Sequence, residues 1–117
     1  VRDFRDLTVW QRAHEVTLAV YRVTKAFPAD ERYGLTSQLR RAASSVPANI
    51  VEGTARGSDP DTVRFLIVSR ASAAELEYHL LLARDLGLIS SSAHKDLAGR
   101  TIEVRRMLNA FLTKLTA

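Results

Sequence analysis

The chain has 117 residues, 46% of them apolar and 26% charged, with a formal net charge of +4 and no cysteine. That length suits one domain around one core, read here as residues 1–117. The composition excludes a disordered or collagen-like chain, and the lack of cysteine excludes disulfides and thiolate metal sites.

No apolar run approaches the roughly 18 residues of a spanning helix. The opening residues contain no secretory apolar stretch. A cytoplasmic protein without a membrane partner is therefore expected. Five glycines and three prolines favour long helices over a turn-rich β-fold.

The first predicted helix opens at Asp6 or Thr8, both good N-cap residues. Val9, Ala13, Val16, Val20, Val23 and Phe27 recur at steps of four and three, one face of a helix. Pro28 and Asp30 end it. The second predicted helix runs from about Glu31 to Thr54, with Leu35, Leu39, Ala42, Val46, Ile50 and Gly53 on one face. Pro47 lies inside it, where proline removes a hydrogen bond and crowds the preceding turn. The apolar phase continues across Pro47, so a kinked helix is expected. The alternative is a break at Ser44-Ser45, with Ser45 capping a new short helix.

The third predicted helix takes Asp59 as N-cap and Pro60 as its first residue. It runs to about Leu86, with Gly87 as its left-handed stop. Ser90, Ser91 and Ser92 offer caps for a fourth helix with Leu97, Thr101, Val104, Leu108, Phe111 and Leu115 on its face. Four amphipathic helices with short links predict an all-α, antiparallel up-down four-helix bundle.

The third helix carries a surplus of apolar groups. Phe65, Leu66, Ser69, Ala73, Leu76, Leu80 and Ala83 serve the core. Val63, Ile67, Ala74, Tyr78 and Leu81 form a second stripe on nearly the opposite side. A helix apolar on two faces is buried on two faces, so this stripe predicts a subunit interface. Ser44, Ala48, Val51 and Ala55 on the second helix form an outward stripe of small residues.

Charge is uneven along the chain. Residues 31–56 and 94–117 are basic and residues 57–93 are acidic. Arg40 and Arg41, with Arg100, Arg105 and Arg106, are the candidate phosphate contacts. Adjacent arginines are more often solvated than functional, and no aromatic residue interleaves with them, so a stacking reader of single strands is not indicated. Asn49, Glu52 and Arg56 form a polar motif best read as structural. Glu52 and Arg56 are four apart in the favourable order for a helix ion pair.

Little in the sequence suggests catalysis. Glu75 and His79 are four apart, not the three of a di-metal Glu-x-x-His unit, and no second unit exists. His79 reads better as an interface residue or a partner of Glu75. No His-Glu-x-x-His or phosphate-binding glycine loop occurs, and no serine is paired with a histidine by pattern. No metal and no cofactor are expected.

The residues nonetheless resemble a known family. Phe4-Arg5-Asp6-Leu7-Thr8-Val9-Trp10-Gln11-Arg12-Ala13 is similar to the opening of the 23S rRNA intervening-sequence proteins. Tyr33-Gly34-Leu35-Thr36-Ser37-Gln38-Leu39-Arg40-Arg41-Ala42-Ala43 resembles a second signature. Val46-Pro47-Ala48-Asn49-Ile50-Val51-Glu52-Gly53 with Arg56, and Ser72-Ala73-Ala74-Glu75-Leu76-Glu77, resemble two more. Val51 stands where alanine is commoner, and Ala71 where a glycine often precedes the serine.

The resemblance implies a cytosolic bacterial four-helix bundle assembling as a ring-like homopentamer. A related branch, the accessory protein of diversity-generating retroelements, is a basic pentamer that binds a reverse transcriptase and nucleic acid. The resemblance supplies no catalytic residues. The resulting expectation is a non-enzymatic homo-oligomer that binds RNA or a nucleic-acid enzyme. The alternatives are a protein–protein scaffold and, less favoured, an enzyme with an inter-subunit cleft.

Overall fold

The structure is a computed structural model and describes residues 3–117. A short 3-10 turn, Phe4–Asp6, precedes α1 (Thr8–Thr24). A second 3-10 turn, Ala29–Glu31, leads to α2 (Leu35–Thr54), followed by α3 (Asp59–Asp85) and α4 (Ser91–Thr116). The expected four helices are present, with no strand among the described residues.

The boundaries differ from the sequence reading where local capping competes with helix periodicity. At the start of α1 the cap position falls on Leu7, which has no side-chain bond to offer. Phe27 lies beyond the end of α1, its amide donating to the Thr24 carbonyl, yet it remains buried. Its place in the apolar pattern is kept without helix. The second helix starts at Leu35 rather than Glu31, because Glu31 belongs to the 3-10 turn and its carboxylate accepts from the Leu35 amide at 3.0 Å. Ser58, not Asp59, caps α3, with its hydroxyl accepting from the Asp61 amide at 3.4 Å. Asp59 and Pro60 are then the first helical residues, where an acidic group suits the helix dipole.

The far end of α3 meets the expectation for Gly87. Its φ is +76°, a conformation that favours glycine. The Leu88 amide donates to the Ala83 carbonyl and the Gly87 amide to the Arg84 carbonyl, both at 2.9 Å, closing the helix end. Ser90 caps α4 by accepting from the Ala93 amide at 3.1 Å.

The second helix is unbroken across Pro47, which excludes the break at Ser44-Ser45. Proline has no amide proton for the Ala43 carbonyl one turn back. The Thr17 hydroxyl on α1 stands 3.0 Å from that oxygen and 2.9 Å from the Ala13 carbonyl, so its one proton can serve as the missing donor.

One core joins all four helices, with Val20, Leu39, Ile50, Leu66, Leu80 and Leu108 completely buried. On α4, Leu112 rather than Phe111 or Leu115 continues the fully buried stripe. Four residues separate it from Leu108, so it keeps the inward phase. On α1, Thr24 is buried and Val23 only partly.

Each helix packs on two others: α1 and α3 both touch α2 and α4. Between α1 and α2, Thr24 bonds Arg40 and Thr17 bonds Ala43. Between α2 and α3, Gly53 bonds Thr62, Val46 bonds Ser69 and Ser45 bonds Ser72. Between α3 and α4, Arg70 bonds Asn109 and Glu77 bonds Arg105. The α2–α3 seam is built from small residues. A Cβ on Gly53 would sit 3.2 Å from both the Phe65 Cβ and the Thr62 carbonyl oxygen, so the helices could not approach as closely.

Candidate functional site

A groove of about 860 Å3 opens where α1 ends and α2 begins. Its walls carry four cations, Lys25, Arg32, Arg40 and Arg41, and two tyrosines, Tyr21 and Tyr33, but no carboxylate. Three segments create this concentration. The end of α1 brings Tyr21, Thr24 and Lys25, the connection brings Arg32 and Tyr33, and the first turns of α2 bring Arg40 and Arg41 across from them.

Arg40 is fixed along one wall. Its Nε donates to the Thr24 hydroxyl at 2.9 Å and one terminal nitrogen reaches the Tyr21 carbonyl at 3.4 Å. Its guanidinium lies 4.7 Å from the centre of the Tyr21 ring, a cation–π arrangement. Thr24 can hold it because its hydroxyl, buried in the last turn of α1, has its own proton placed on the Val20 carbonyl at 2.8 Å and accepts from Arg40.

Arg41 donates to the Gln38 side-chain oxygen at 3.1 Å, a neutral partner that leaves its charge uncompensated. Among the described residues none of the four cations is paired with a carboxylate. The nearby Glu31 is committed to the amide of Leu35. Tyr33 is 90% exposed at the groove's edge.

The other predicted phosphate contacts lie elsewhere. Arg105 grips Glu77 with nitrogen–oxygen distances of 2.6 and 3.4 Å. The hydrogen bond Arg105 donates to Glu77, followed by the charge of Glu77, raises the Arg105 pKa above the ordinary guanidinium value, against a smaller opposing effect of burial. Arg100 is bridged to Asp96 at 3.2 Å. Arg106 is exposed and has no carboxylate partner among the described residues. No residue of α4 reaches the groove, so the five arginines do not form one site.

The polar motif of α2 has structural partners. The Asn49 amide donates to the Ser45 carbonyl at 2.8 Å and lies 3.0 Å from the Ser45 hydroxyl, which is 2.9 Å from that of Ser72. Glu52 and Arg56 form the expected pair at 3.6 Å, and the Arg56 guanidinium lies 4.5 Å from the centre of the Phe65 ring.

Glu75 and His79 form no ion pair among the described residues. His79 instead lies beside Tyr78, ring centres 5.6 Å apart, with its Nδ1 buried and unpartnered. Among the described residues no group of three or more potential ligand side chains gathers to hold a metal, and no helix is long and apolar enough to cross a membrane.

The second stripe of α3 is largely uncovered in the single chain. Ile67 is 45%, Tyr78 58% and Leu81 38% exposed, and Ala74 is exposed as well. Val63 departs from the set because it is half-buried against the core. Val68, 48% exposed, is a further uncovered apolar residue of α3 outside the predicted stripe.

Sequence reasoning found Arg40 and Arg41 but missed Lys25, Arg32, Tyr21 and Tyr33. No aromatic residue adjoins the arginine pairs along the chain, whereas the fold supplies two from α1 and from the connection. Tyr21 and Lys25, four apart near the end of a helix, were the available signal.

Comparison with known proteins adds the following. The family model described as 23S rRNA-intervening sequence protein matches residues 5–110. A crystal structure from Bacteroides thetaiotaomicron VPI-5482, described as a protein with unknown function from the S23 ribosomal protein family, superposes with a TM-score of 0.81. The two share 20% identity over 90% of this chain and 98% of that one, a likeness of fold. No curated protein matches the chain.

Proposed function

Because the chain belongs to the 23S rRNA-intervening sequence protein family, we propose that it is a non-enzymatic, homo-oligomeric four-helix bundle that binds RNA through phosphate contacts at the α1–α2 groove. The observation that carries this reading is the gathering of Lys25, Arg32, Arg40 and Arg41 around one groove without a lining carboxylate. Guanidinium forks match phosphate oxygens in shape and charge. Contacts of this kind position a nucleic acid without reading its bases, so binding tolerates sequence.

The order of the interhelix bonds supports an antiparallel up-down bundle. As residue numbers rise along α1, those of their partners on α2 fall, and the same reversal holds for α2 with α3 and α3 with α4. Proline inside α2 supports a kink at Pro47. The exposed apolar face of α3 supports self-association, and the homopentamer follows the family resemblance. Repetition of the groove around a ring would add avidity to individually weak phosphate sites. The same chemistry could engage RNA held by a nucleic-acid enzyme. A cytoplasmic location fits both.

The test is a titration of structured RNA against wild type and the double variant Arg32→Ala, Arg41→Ala at several salt concentrations. Wild-type affinity is expected to fall log-linearly with salt, and the variant to bind more weakly with a shallower slope. Equal affinities, or no binding at low salt, would favour the protein–protein scaffold.

A further inference from the structure

We propose that the α1–α2 groove is a site for single-stranded RNA, with an unpaired base stacked on Tyr33 and its flanking phosphates held by Arg32 and Arg41. This rests on the reading of the groove as a phosphate site and deepens it by naming the form of nucleic acid.

The argument begins with the two tyrosines. Tyr21 is occupied, since the Arg40 guanidinium covers its ring at 4.7 Å and is tied to Thr24. Tyr33 belongs to the same groove and has no aromatic or cationic group stacked on it among the described residues. At 90% exposure its ring contributes almost nothing to the core. An exposed aromatic face beside cations is the pairing that single-strand binders use, because every base offers a flat surface and every linkage a phosphate. A duplex keeps its bases stacked on one another and offers no free base face along its length, so it can use the arginines but not stack on Tyr33.

The groove also has the right division of labour. Arg40 is spent on fixing the wall, whereas Arg41 holds only a neutral amide and Arg32 has no carboxylate partner among the described residues. The volume of about 860 Å3 lies within the range of sites that enclose a small ligand. A nucleotide or two of a strand is of that size.

The experiment uses the full chain and fluorescently labelled RNA of one length, single-stranded or duplex, read by anisotropy at low salt. Tyr33→Ala should weaken single-strand binding about five- to tenfold and leave duplex binding unchanged. Tyr33→Phe, which keeps the ring, should restore single-strand affinity. Arg32→Ala with Arg41→Ala should weaken both forms. Circular dichroism should show the same helix content in all variants, since none of the three side chains is buried.

If duplex binds wild type as tightly as single strand, or if Tyr33→Ala leaves single-strand affinity intact, the stacking proposal is overturned while the phosphate reading stands. If neither form binds, both are overturned. Binding of a free nucleoside monophosphate as tight as that of the strand would also overturn it in favour of a mononucleotide site.

Discussion

The Thr17 hydroxyl and Pro47 form a compensating pair, and a double-mutant cycle should expose it. In wild type the Ala43 carbonyl has no helical donor, because residue 47 is proline, and the Thr17 hydroxyl lies 3.0 Å from it. Thr17→Val keeps the side-chain shape but removes the donor. A carbonyl left unpaired in a partly buried seam costs about 1–3 kcal/mol. The same hydroxyl is 2.9 Å from the Ala13 carbonyl, yet that oxygen lies inside α1 and keeps its helical amide donor, so little is lost there. In a Pro47→Ala background, residue 47 regains an amide that can donate to Ala43. Thr17→Val should then cost less than about 0.5 kcal/mol, giving a coupling of roughly 1–2 kcal/mol. The effect of Pro47→Ala itself, which removes a buried ring and an interior proline together, cancels in the cycle. Urea unfolding of the four proteins at one fixed protomer concentration measures it, since self-association would make stability depend on concentration. Additivity within about 0.3–0.5 kcal/mol would refute the compensation.

Three further outcomes follow from other parts of the molecule. Ile67→Glu or Tyr78→Glu on the exposed face of α3 should dissociate the assembly while helix content is retained; light scattering of a monomeric wild type at micromolar concentration would contradict this. Arg105→Ala should destabilise the fold by about 0.5–1 kcal/mol through loss of a partly exposed ion pair, and leave RNA affinity unchanged in the same titration because Glu77 already neutralises it. Its raised pKa lies above the unfolded value, so the bond contributes fully below the ordinary guanidinium pKa and is lost only as pH rises beyond it; stability attributable to this pair should not vary between pH 6 and pH 9 in thermal melts. Gly99→Ala in α4, where an added Cβ meets nothing within 4 Å, should stabilise by about 0.5–1 kcal/mol, whereas Gly87→Ala at φ +76° should destabilise by about 1–2 kcal/mol in chemical denaturation.

The helices were legible because their apolar phase is continuous. Val9 to Val20, Leu35 to Ile50 and Leu66 to Ala83 repeat at helical spacing, and the one contrary local signal among them, Pro47, does not break that phase. The ends were less legible because several residues compete for one capping role. Ser58 and Asp59 both satisfy the preference for an N-cap, and only the backbone conformation decides between them. Glu31 looked like the start of a helix and is instead a side chain that caps one from the preceding turn. The groove was half legible. Arg40 and Arg41 stand out in the chain, but Tyr21 and Lys25 reach them only through the α1–α2 packing, and Tyr33 precedes them from the connection. The separation of Arg105 from the groove was hidden for the same reason, since Glu77 lies on another helix.

The small-residue seam between α2 and α3 bears on the order of assembly. Gly53, Ser45 and Val46 meet Thr62, Ser69 and Ser72 across a link of only residues 55–58. Closing so short a connection costs little chain entropy, and contacts near in sequence form early. This hairpin is therefore expected to form before α1, whose connection spans residues 25–34, docks onto it. Substitutions in the seam should then slow folding, while those on α1, Thr17 included, should mainly hasten unfolding. The segment that completes the basic groove would be the late-arriving one, so the groove takes shape only as α1 locks into place.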